Sequence, residues 1–260
     1  MEVVILAGAP EIAALAADAV VALLTSNPGA VLGLATGSSP LGVYGELIRR
    51  HREGDVSFGQ ARAFLLDEYV GLPGDHPQRY RSVIHDELEQ YVDFAPGAVL
   101  GPDGLSPDIP AACADYEQAI AKAGGVDLQL LGIGTDGHVA FNEPGSSLVS
   151  RTRVKTLTAQ TRADNARFFS TVDEVPHHVL TQGLGTISDA RHLVLVATGP
   201  AKAGAIHQMV EGPVSALCPA SVLQLHPHAT VLLDEDAASK LQLADYYRET
   251  YAAKPAWQGL

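Results

Sequence analysis

Length, composition and charge limit what this chain can be. It has 260 residues, of which 47% are hydrophobic and 18% charged, and this predicts a folded domain with a sizeable core rather than a disordered chain. The 30 Asp and Glu outnumber the 17 Lys and Arg, and the net charge of −13 disfavours nucleic acid or an anionic membrane as the main partner.

The cysteines and the amino terminus predict a cytoplasmic location. Cys113 and Cys218 are far apart in sequence, which favours two reduced thiols over a disulfide. The amino terminus combines an acidic second residue with a short apolar run, so it resembles neither a signal peptide nor a membrane span. We therefore expect a cytoplasmic protein without a membrane-spanning segment.

Predicted strands and helices alternate along the whole chain. Strands are predicted from apolar runs at residues 3–6, 31–35, 63–66, 128–133, 192–198 and 229–233, and from a period-two alternation with a basic, exposed face at 151–157. Helices are predicted at residues 10–27, 41–50, 77–91, 109–123, 158–169 and 236–251, with another after residue 202. This order predicts one domain over residues 1–260, a Rossmann-like α/β fold whose open, mostly parallel sheet has helices on both faces.

A loop of small residues follows the second predicted strand. Thr36, Gly37, Ser38 and Ser39 lie between that strand and the helix that begins at residue 41. Backbone N–H groups at a helix N-terminus carry partial positive charge, and the hydroxyls add donors, so the loop predicts a phosphate site. An ordinary capping turn rich in Thr and Ser is the alternative.

A single carboxylate follows the third predicted strand. Asp67 comes directly after residues 63–66 and leads into a loop, not into a helix that it could cap. A carboxylate in this position either turns or caps the chain or serves as a general base. The lack of a following helix favours the general base.

The stretch D-L-Q-L-L-G-I-G-T-D-G-H-V-A-F-N-E-P, residues 127–144, is the centre of the predicted active site. Its first half predicts a buried parallel strand, and its second half places Asp136, His138 and Glu143 just beyond that strand. Lys202 follows another strand, and ligands of open α/β sheets bind at these carboxyl ends. The set suits proton transfers on a phosphorylated substrate. That Asp136 is only a turn residue and His138 only structural stays open.

Two other interpretations are disfavoured. Gly132, Gly134 and Gly137 spell the dinucleotide pattern G-x-G-x-x-G, but the loop carries an aspartate and runs into N-E-P-G, which breaks a helix. A metal site that includes His226 and His228 is disfavoured because a proline separates them and no helical H-x-x-x-H pattern is present. We expect neither a metal nor an organic cofactor.

Six motifs resemble the glucosamine-6-phosphate deaminase (isomerising) family. They are L-A-T-G-S-S-P-L-G-V-Y, L-D-E-Y-V-G-L, H-P-Q-R-Y, G-I-G-T-D-G-H-V-A-F-N-E-P, S-R-T-R-V-K-T-L-T and L-Q-L-H-P, spread between residues 31 and 228. The resemblance implies conversion of glucosamine 6-phosphate and water to fructose 6-phosphate and ammonia in amino-sugar catabolism, without a cofactor.

The resemblance also implies a role for each site residue. Asp67 looks like the base that moves a proton from C2 to C1, and His138 like the acid/base that opens the sugar ring, supported by Asp136 and Glu143. Which of the two carboxylates orients the imidazole stays open. A lid over residues 158–181 is expected to close on the substrate. The groups that correspond to the phosphate site are Thr36, Gly37, Ser38, Ser39, Arg167 and Lys202.

Regulated members of the family bind N-acetylglucosamine 6-phosphate at a subunit interface of a homohexamer. The residues that match this activator site are Ser146, Arg153, Lys155, Thr156 and Tyr246. The resemblance therefore implies a homo-oligomer, with a hexamer favoured, although unregulated, lower-order oligomers also exist in the family. A solvated basic strand is the alternative for Arg153 and Lys155.

Two other functions have to be distinguished from the deaminase. A sugar-phosphate lactonase or a plain aldose–ketose isomerase could use the same scaffold. A non-catalytic sugar-phosphate sensor would carry a helix-turn-helix module and a basic surface, and this sequence shows neither.

Overall fold

The computed structural model describes residues 1–260, apart from the side chains of Gln160, Asp164 and Ala256. In chain order the strands are β1 (Glu2–Leu6), β2 (Val31–Leu34), β3 (Arg62–Leu65), β4 (Asp67–Tyr69), β5 (Val99–Leu100), β6 (Leu128–Leu131), β7 (Arg153–Thr156), β8 (His178–Thr181), β9 (His192–Ala197) and β10 (Ala229–Asp234). The α-helices are α1 (Ala9–Ser26), α2 (Leu41–Glu53), α3 (Tyr80–Glu87), α4 (Ile109–Lys122), α5 (Ala159–Asn165), α6 (Leu184–Ser188), α7 (Ala203–Val210), α8 (Glu235–Ala238) and α9 (Ala244–Ala252).

Seven strands form one parallel sheet in the order β1-β10-β9-β6-β2-β3-β5. From β2 the chain winds outward to β3 and β5, whereas from β6 it winds the other way, to β9 and β10. Because the winding direction reverses between β2 and β6, a crevice for ligands is expected at the carboxyl ends of these two strands. The predicted open, mostly parallel α/β sheet is confirmed.

The two faces of the sheet pack against separate sets of helices. Successive residues of β9 alternate between the two cores, with Leu193 and Leu195 in one and Val194 and Val196 in the other. Helices α1, α2 and α3 cover one face, and α4, α6 and α7 cover the other. Burial on both faces explains why the central strands are continuous apolar runs in the sequence.

Helix α1 belongs to this core, although length and composition alone would let its 18 residues cross a membrane, with a mean hydropathy of 1.5. Ile12, Ala16, Val20 and Leu24 recur every four residues and form a buried stripe against the sheet. The polar side of α1 contacts α2, where Arg50 donates a hydrogen bond to Asp18 at 2.6 Å. The helix is therefore an amphipathic core helix of this fold.

A second sheet, antiparallel and made of β4, β8 and β7, was not predicted. The sequence indicated β7 but assigned β4 to a loop and missed β8. Asp67 of β4 pairs with Thr181 of β8, and Thr181 pairs on its other side with Arg153 of β7. Directly opposed residues in antiparallel strands point to the same face, so these three side chains share one face of the small sheet.

The other differences concern short or interrupted elements. Strand β5 and helix α6 were missed, and the helix predicted at 158–169 is α5 followed by a single 3-10 turn. The single helix predicted over 236–251 is wrong, because the chain forms α8 and α9 with a break between them. The Glu211 carboxylate explains the break, since it accepts hydrogen bonds from the backbone N–H groups of Gln242 and Leu243, each at 2.8 Å.

Candidate active site

The small-residue loop lies between β2 and the N-terminus of α2, as predicted. Gly37 has a φ of 93°, and the Tyr44 hydroxyl donates to the Ala35 carbonyl at 2.6 Å, which fixes the start of the loop. Helix α2 begins after Pro40, and among the described side chains none caps its N-terminus. The interpretation as an ordinary capping turn is therefore wrong, and the N–H groups at this end remain available for a ligand.

The loop after β6 lies close to this first loop across the crevice. A Cβ added to Gly132 would lie 3.1 Å from the Ser39 hydroxyl oxygen, which is tighter than an ordinary contact. Glycine at this position therefore lets the two loops approach each other at the point where the winding direction changes. Thr36 and Ser39 are half-buried there, whereas Gly37 and Ser38 are exposed.

Asp67 is the first residue of β4, and it is 6% exposed. Burial, and to a smaller extent the charge of the neighbouring Glu68, raises the pKa of Asp67 to about 8. No hydrogen bond reaches the Asp67 carboxylate from the residues whose side chains are described. A buried carboxylate without donors is a stronger base than an exposed one and can take a proton from a substrate and return it.

Glu68, which the sequence analysis did not select, has the capping role that was considered for Asp67. Its carboxylate is buried and accepts from the backbone N–H groups of Tyr80 at 3.0 Å and Arg81 at 3.1 Å, at the start of α3. The two adjacent carboxylates therefore have different environments. Glu68 is satisfied by a helix N-terminus, and Asp67 is left without donors.

His138 is oriented by Asp136 and not by Glu143, which settles the alternative that the sequence left open. Its Nδ1 lies 2.6 Å from the Asp136 carboxylate, and its backbone N–H donates to the same oxygen at 3.2 Å. With Nδ1 protonated toward the carboxylate, Nε2 is the ring nitrogen that can accept a proton. The imidazole is 39% exposed, so this nitrogen can reach a ligand.

The glycines that imitate a dinucleotide motif shape the turn under this histidine. A Cβ on Gly134 would lie 2.2 Å from the His138 ring, so the imidazole packs directly on the backbone there. Gly137 has a φ of 86°, and a Cβ on it would lie 2.7 Å from the sulfur of Cys218, a free and buried thiol. Their role is therefore local packing of the Asp136–His138 turn.

Helix α5 contacts both halves of the site through two polar side chains on one face. Thr161 donates to the Glu143 carboxylate at 2.6 Å, and Asn165 donates to the Tyr69 hydroxyl at 3.0 Å. Residues four apart lie on the same side of a helix. The sequence analysis named neither residue, although the Thr158 side chain, which caps α5, matches the usual N-cap signal.

The small sheet joins the segments that carry Asp67 and His138. Thr181, the cross-strand partner of Asp67, accepts at its hydroxyl from the backbone N–H of Phe141, three residues after His138. Asn142 donates to the Gln182 carbonyl at 2.8 Å, and the Gln182 amide donates to the Leu65 carbonyl at the end of β3 at 2.9 Å. Strand β8, which the sequence did not predict, therefore connects the two.

The two basic residues predicted to bind phosphate are placed differently. Lys202 ends a 3-10 turn after β9 and is half-buried; burial lowers the pKa of Lys202, and the charge of Asp136 opposes that shift. Arg167 is exposed, and its guanidinium lies 4.7 Å from the centre of the Phe168 ring. Among the described residues no hydrogen bond links Arg167 to the 36–39 loop. The structure therefore brings Lys202, but not Arg167, toward the crevice.

The predicted exposed, basic face of β7 is wrong in one respect. Arg153 and Lys155 do share a face, but they are half-buried, while Val154 between them is 46% exposed. The basic side chains point to the same face of the small sheet as Asp67. Burial lowers the pKa of Arg153. Ser146 is buried, and its hydroxyl has no hydrogen-bond partner among the described residues.

The other two residues of the predicted activator site are separate. Thr156 is exposed at the end of β7. Tyr246 is 59% exposed on α9, a helix that packs against β1, and its ring contacts Tyr247 edge to face. No hydrogen bond or aromatic contact joins Tyr246 to β7 among the side chains that the structure describes. Within one chain, therefore, Tyr246 does not complete this site.

His226 and His228 lie at the amino ends of the strands, away from the crevice. The Nε2 atom of His226 donates to the Ala190 carbonyl at 2.7 Å, and its Nδ1 accepts from the His228 backbone N–H at 3.0 Å. Both ring nitrogens of His226 are thus engaged by backbone. The described residues include no group of three His, Cys, Asp or Glu arranged to hold a metal ion.

Comparison with known proteins identifies the family. The sequence profile of the glucosamine-6-phosphate isomerases/6-phosphogluconolactonases matches residues 7–232. The chain is 69% identical to a glucosamine-6-phosphate deaminase of Mycolicibacterium smegmatis over the full length of both proteins. The solved structure of a monomeric glucosamine-6-phosphate deaminase superposes with a TM-score of 0.89 at 42% identity, covering 92% of this chain and all of the other.

The 6-phosphogluconolactonase of Trypanosoma cruzi superposes less closely. Its TM-score is 0.74 at 21% identity, over 93% of this chain and 97% of that one, and at this identity the likeness establishes the fold alone. High identity over the whole chain separates the deaminases from the lactonases. This chain therefore belongs to the glucosamine-6-phosphate deaminase family.

Proposed function

We propose that this chain converts glucosamine 6-phosphate and water into fructose 6-phosphate and ammonia. The observation that carries the proposal is that two proton carriers lie on segments joined by the small sheet, at the end of the central sheet that also carries the 36–39 loop. Asp67 is buried without donors, and His138 is held by Asp136 with one ring nitrogen toward solvent. The relative that is 69% identical over its whole length bears the name of this activity.

The phosphate is proposed to bind at the N-terminus of α2. The N–H groups and hydroxyls of residues 36–39 donate to its oxygens, and Lys202 supplies a positive charge from the loop after β9. The sugar then extends along the crevice toward β4 and the loop after β6. This end of the substrate provides binding energy and orientation without taking part in the bond changes.

Ring opening is assigned to His138. Its Nε2 takes the proton of the anomeric hydroxyl, and the same proton is returned to the ring oxygen as the C1–O5 bond breaks, which leaves an open-chain aldehyde. Imidazole can exchange protons near neutral pH. Asp136, bonded to Nδ1, holds the ring in this tautomer and stabilises the imidazolium formed in between.

Isomerisation is assigned to Asp67. Its carboxylate takes the C2 proton of the aldehyde while a proton from the substrate's own ammonium passes to O1, which forms an enolamine. Asp67 then returns its proton to C1, which leaves an iminium at C2. Water adds to that carbon, and ammonia leaves after the nitrogen is protonated, so that fructose 6-phosphate remains. A pKa of about 8 makes Asp67 a stronger base than an ordinary carboxylate, in accord with this step.

We also propose that residues 158–177 form the mobile part of the lid expected over 158–181. Strand β8 forms the last four residues of the expected lid, 178–181. Because it pairs with β4 on one side and with β7 on the other, it is assigned to the fixed part. The hydrogen bonds of Thr161 and Asn165 correspond to a closed helix α5. Arg167, exposed here, would have to turn toward the crevice to reach the phosphate.

An activator site for N-acetylglucosamine 6-phosphate on β7 is likewise a proposal. Arg153 and Lys155 share a half-buried face, and Ser146 has a buried hydroxyl without a partner among the described residues. Tyr246 would have to come from a second copy of the chain, as in the homohexamer that we favour. Because the solved relative is monomeric, the number of subunits has to be measured. We also propose that the protein is cytoplasmic.

Ammonia release from glucosamine 6-phosphate, detected through a coupled dehydrogenase, tests the reaction. We expect the purified chain to release ammonia from glucosamine 6-phosphate. We expect no hydrolysis of 6-phosphogluconolactone, which has no nitrogen and is followed in a separate assay. Hydrolysis of the lactone without ammonia release would favour the lactonase. The assay with and without N-acetylglucosamine 6-phosphate, combined with measurement of the molecular mass in solution, tests the activator and the oligomer together.

A further inference from the structure

Asp234, at the end of β10, joins two neighbouring segments through its carboxylate. Its Oδ1 and Oδ2 accept from the backbone N–H of Gly199 at 3.0 and 2.9 Å. Oδ1 also accepts from the backbone N–H of Ala237 at 2.7 Å, which caps helix α8. Asp234 is thus both a helix cap and a fixed acceptor for a loop that follows another strand.

Gly199 begins the turn that carries Lys202. It has a φ of 84°, and the backbone N–H of Lys202 donates to its carbonyl at 3.2 Å. Strands β9 and β10 pair in parallel with Ala197 opposite Leu233, so Asp234 lies beside the residue at which the turn leaves the sheet. The orientation of Gly199 therefore sets the path along which Lys202 reaches the crevice.

We propose that Asp234 is a positioning residue for Lys202. The carboxylate fixes the turn at residues 199–202, so that the lysine ammonium is directed at the substrate phosphate without a search among other turn conformations. This inference rests on the proposed function, which assigns the phosphate to Lys202. Asp234 itself does not touch the substrate, and its influence passes through the Gly199 N–H.

A purely structural role, the cap of α8, makes different predictions, and Asp234→Asn separates the two. Asparagine is as good an N-cap as aspartate, so the hydrogen bond from Ala237 can persist. Its amide nitrogen cannot accept from Gly199, and one of the two bonds to the turn is lost. Asp108→Asn is the matched control, because Asp108 caps α4 through Ala111 at 3.0 Å and that helix carries none of the proposed site residues.

The experiment measures KM, kcat and the rise in melting temperature caused by inorganic phosphate in Asp234→Asn, Lys202→Ala and the double variant. We expect Asp234→Asn to raise KM about 3- to 10-fold and to change kcat less than about twofold, because phosphate contacts are largely uniform binding. In the Lys202→Ala background the same change should raise KM less than about twofold, because the group that it positions is gone. Asp108→Asn should leave KM unchanged.

Two results would overturn the proposal. One is a full multiplicative effect of Asp234→Asn on KM in the absence of the lysine. The other is an unchanged KM in Asp234→Asn, which is what a helix cap alone would give, because asparagine keeps the cap. If Asp234→Asn does not fold, Asp234→Ser, another capping residue, takes its place. If the wild-type chain makes no ammonia, the proposed function fails, but the phosphate-induced stabilisation still decides whether Asp234 and Lys202 are coupled.

Discussion

The two ends of the central sheet use histidine in opposite ways. At the carboxyl end, His138 has a carboxylate on Nδ1 and an exposed ring. At the amino end, His226 gives both nitrogens to backbone groups, and His192 is buried with Nε2 bonded to Thr230. Burial, and to a smaller extent the nearby His228, His226 and Lys254, lowers the pKa of His192 to about 3. Residue type therefore does not identify a proton carrier. A histidine is identified as a proton carrier when one ring nitrogen is free and the other has a charged partner.

Cavity size would not have distinguished the two ends either. A cavity of about 870 Å³ opens at the amino end of the strands, where it is lined by His192, His228 and apolar residues of α1. The rings of His192 and His228 stack there with their centres 3.6 Å apart. The crevice at the carboxyl end is recognised by the chemistry of its groups and by the reversal of strand winding.

The sharpest test of the carboxyl end is Asp67→Asn, which keeps the shape and removes the base. We expect kcat for ammonia release to fall by about two to four decades while substrate still binds, the usual range for the loss of a general base. Asp86→Asn, an exposed change on α3, is the control and should retain turnover. Near-normal turnover of Asp67→Asn would assign the C2 proton to another group.

The comparison between histidines is tested by His138→Gln and His226→Gln. The first should lower turnover of the cyclic substrate by about 100-fold or more and affect an open-chain analogue less, because only ring opening needs the imidazole. The second should leave kcat intact and lower the free energy of unfolding by about 1–3 kcal/mol, because buried backbone groups lose their partner. Similar losses of kcat in both variants would contradict the different roles given to the two histidines. Urea unfolding measures the free energy of unfolding.

Asp136→Asn tests the hydrogen-bond partner of His138. The amide can still accept from Nδ1, but it lacks the charge that stabilises an imidazolium. Because a hydrogen bond to a charged group contributes about 1.5–3 kcal/mol, we expect kcat to fall roughly 10- to 100-fold, less than for His138→Gln. A Glu143→Gln variant measured beside it shows whether the carboxylate held by Thr161 has an equal share. Unchanged kcat in Asp136→Asn would remove it from the mechanism.

The smallest effect is on stability. Because burial raises the pKa of Asp67 from 3.8 to about 8, the folded state holds a proton that the unfolded state has lost between these values. Stability should therefore fall as pH rises from about 4 to 8. Asp67→Asn should remove this penalty and exceed the wild type by about 1 kcal/mol or more at pH 8.5, with a smaller gain at pH 4.5. An equal difference at both values, measured by urea unfolding, would mean that Asp67 ionises normally.

The central sheet and the main site loops could be predicted because their signals are local. Apolar runs indicated every strand of the parallel sheet except β5, and the position of Asp136 and His138 just after one of them indicated the crevice. The assignment of Asp136 as partner of the ring needed coordinates, because two carboxylates lie within five residues of His138 and only geometry separates them.

Strands β4 and β8 of the small sheet could not be predicted because neither shows an apolar run or an alternation long enough to indicate a strand. Strand β4 has three residues and β8 has four, and their pairing depends on contacts such as that between Gln182 and Leu65, far apart in sequence. The role of Glu68 was hidden for a similar reason, since the helix that it caps begins twelve residues later. Arg167 was selected only through the resemblance to the family, and a sequence resemblance does not fix the position of a long side chain on an exposed turn.

The packing of the His138 ring on Gly134 shows that a site depends on the arrangement of its reactive groups as well as on their presence. The backbone at residue 134 does not require glycine for its dihedral angles, yet the ring occupies the space of any side chain. Gly134→Ala would leave each acid and base of this crevice in the chain and still push the imidazole aside by an ångström or more. One added methyl group could thus abolish the activity of an enzyme that keeps all its reactive groups. The loss of activity would measure the contribution of their alignment alone.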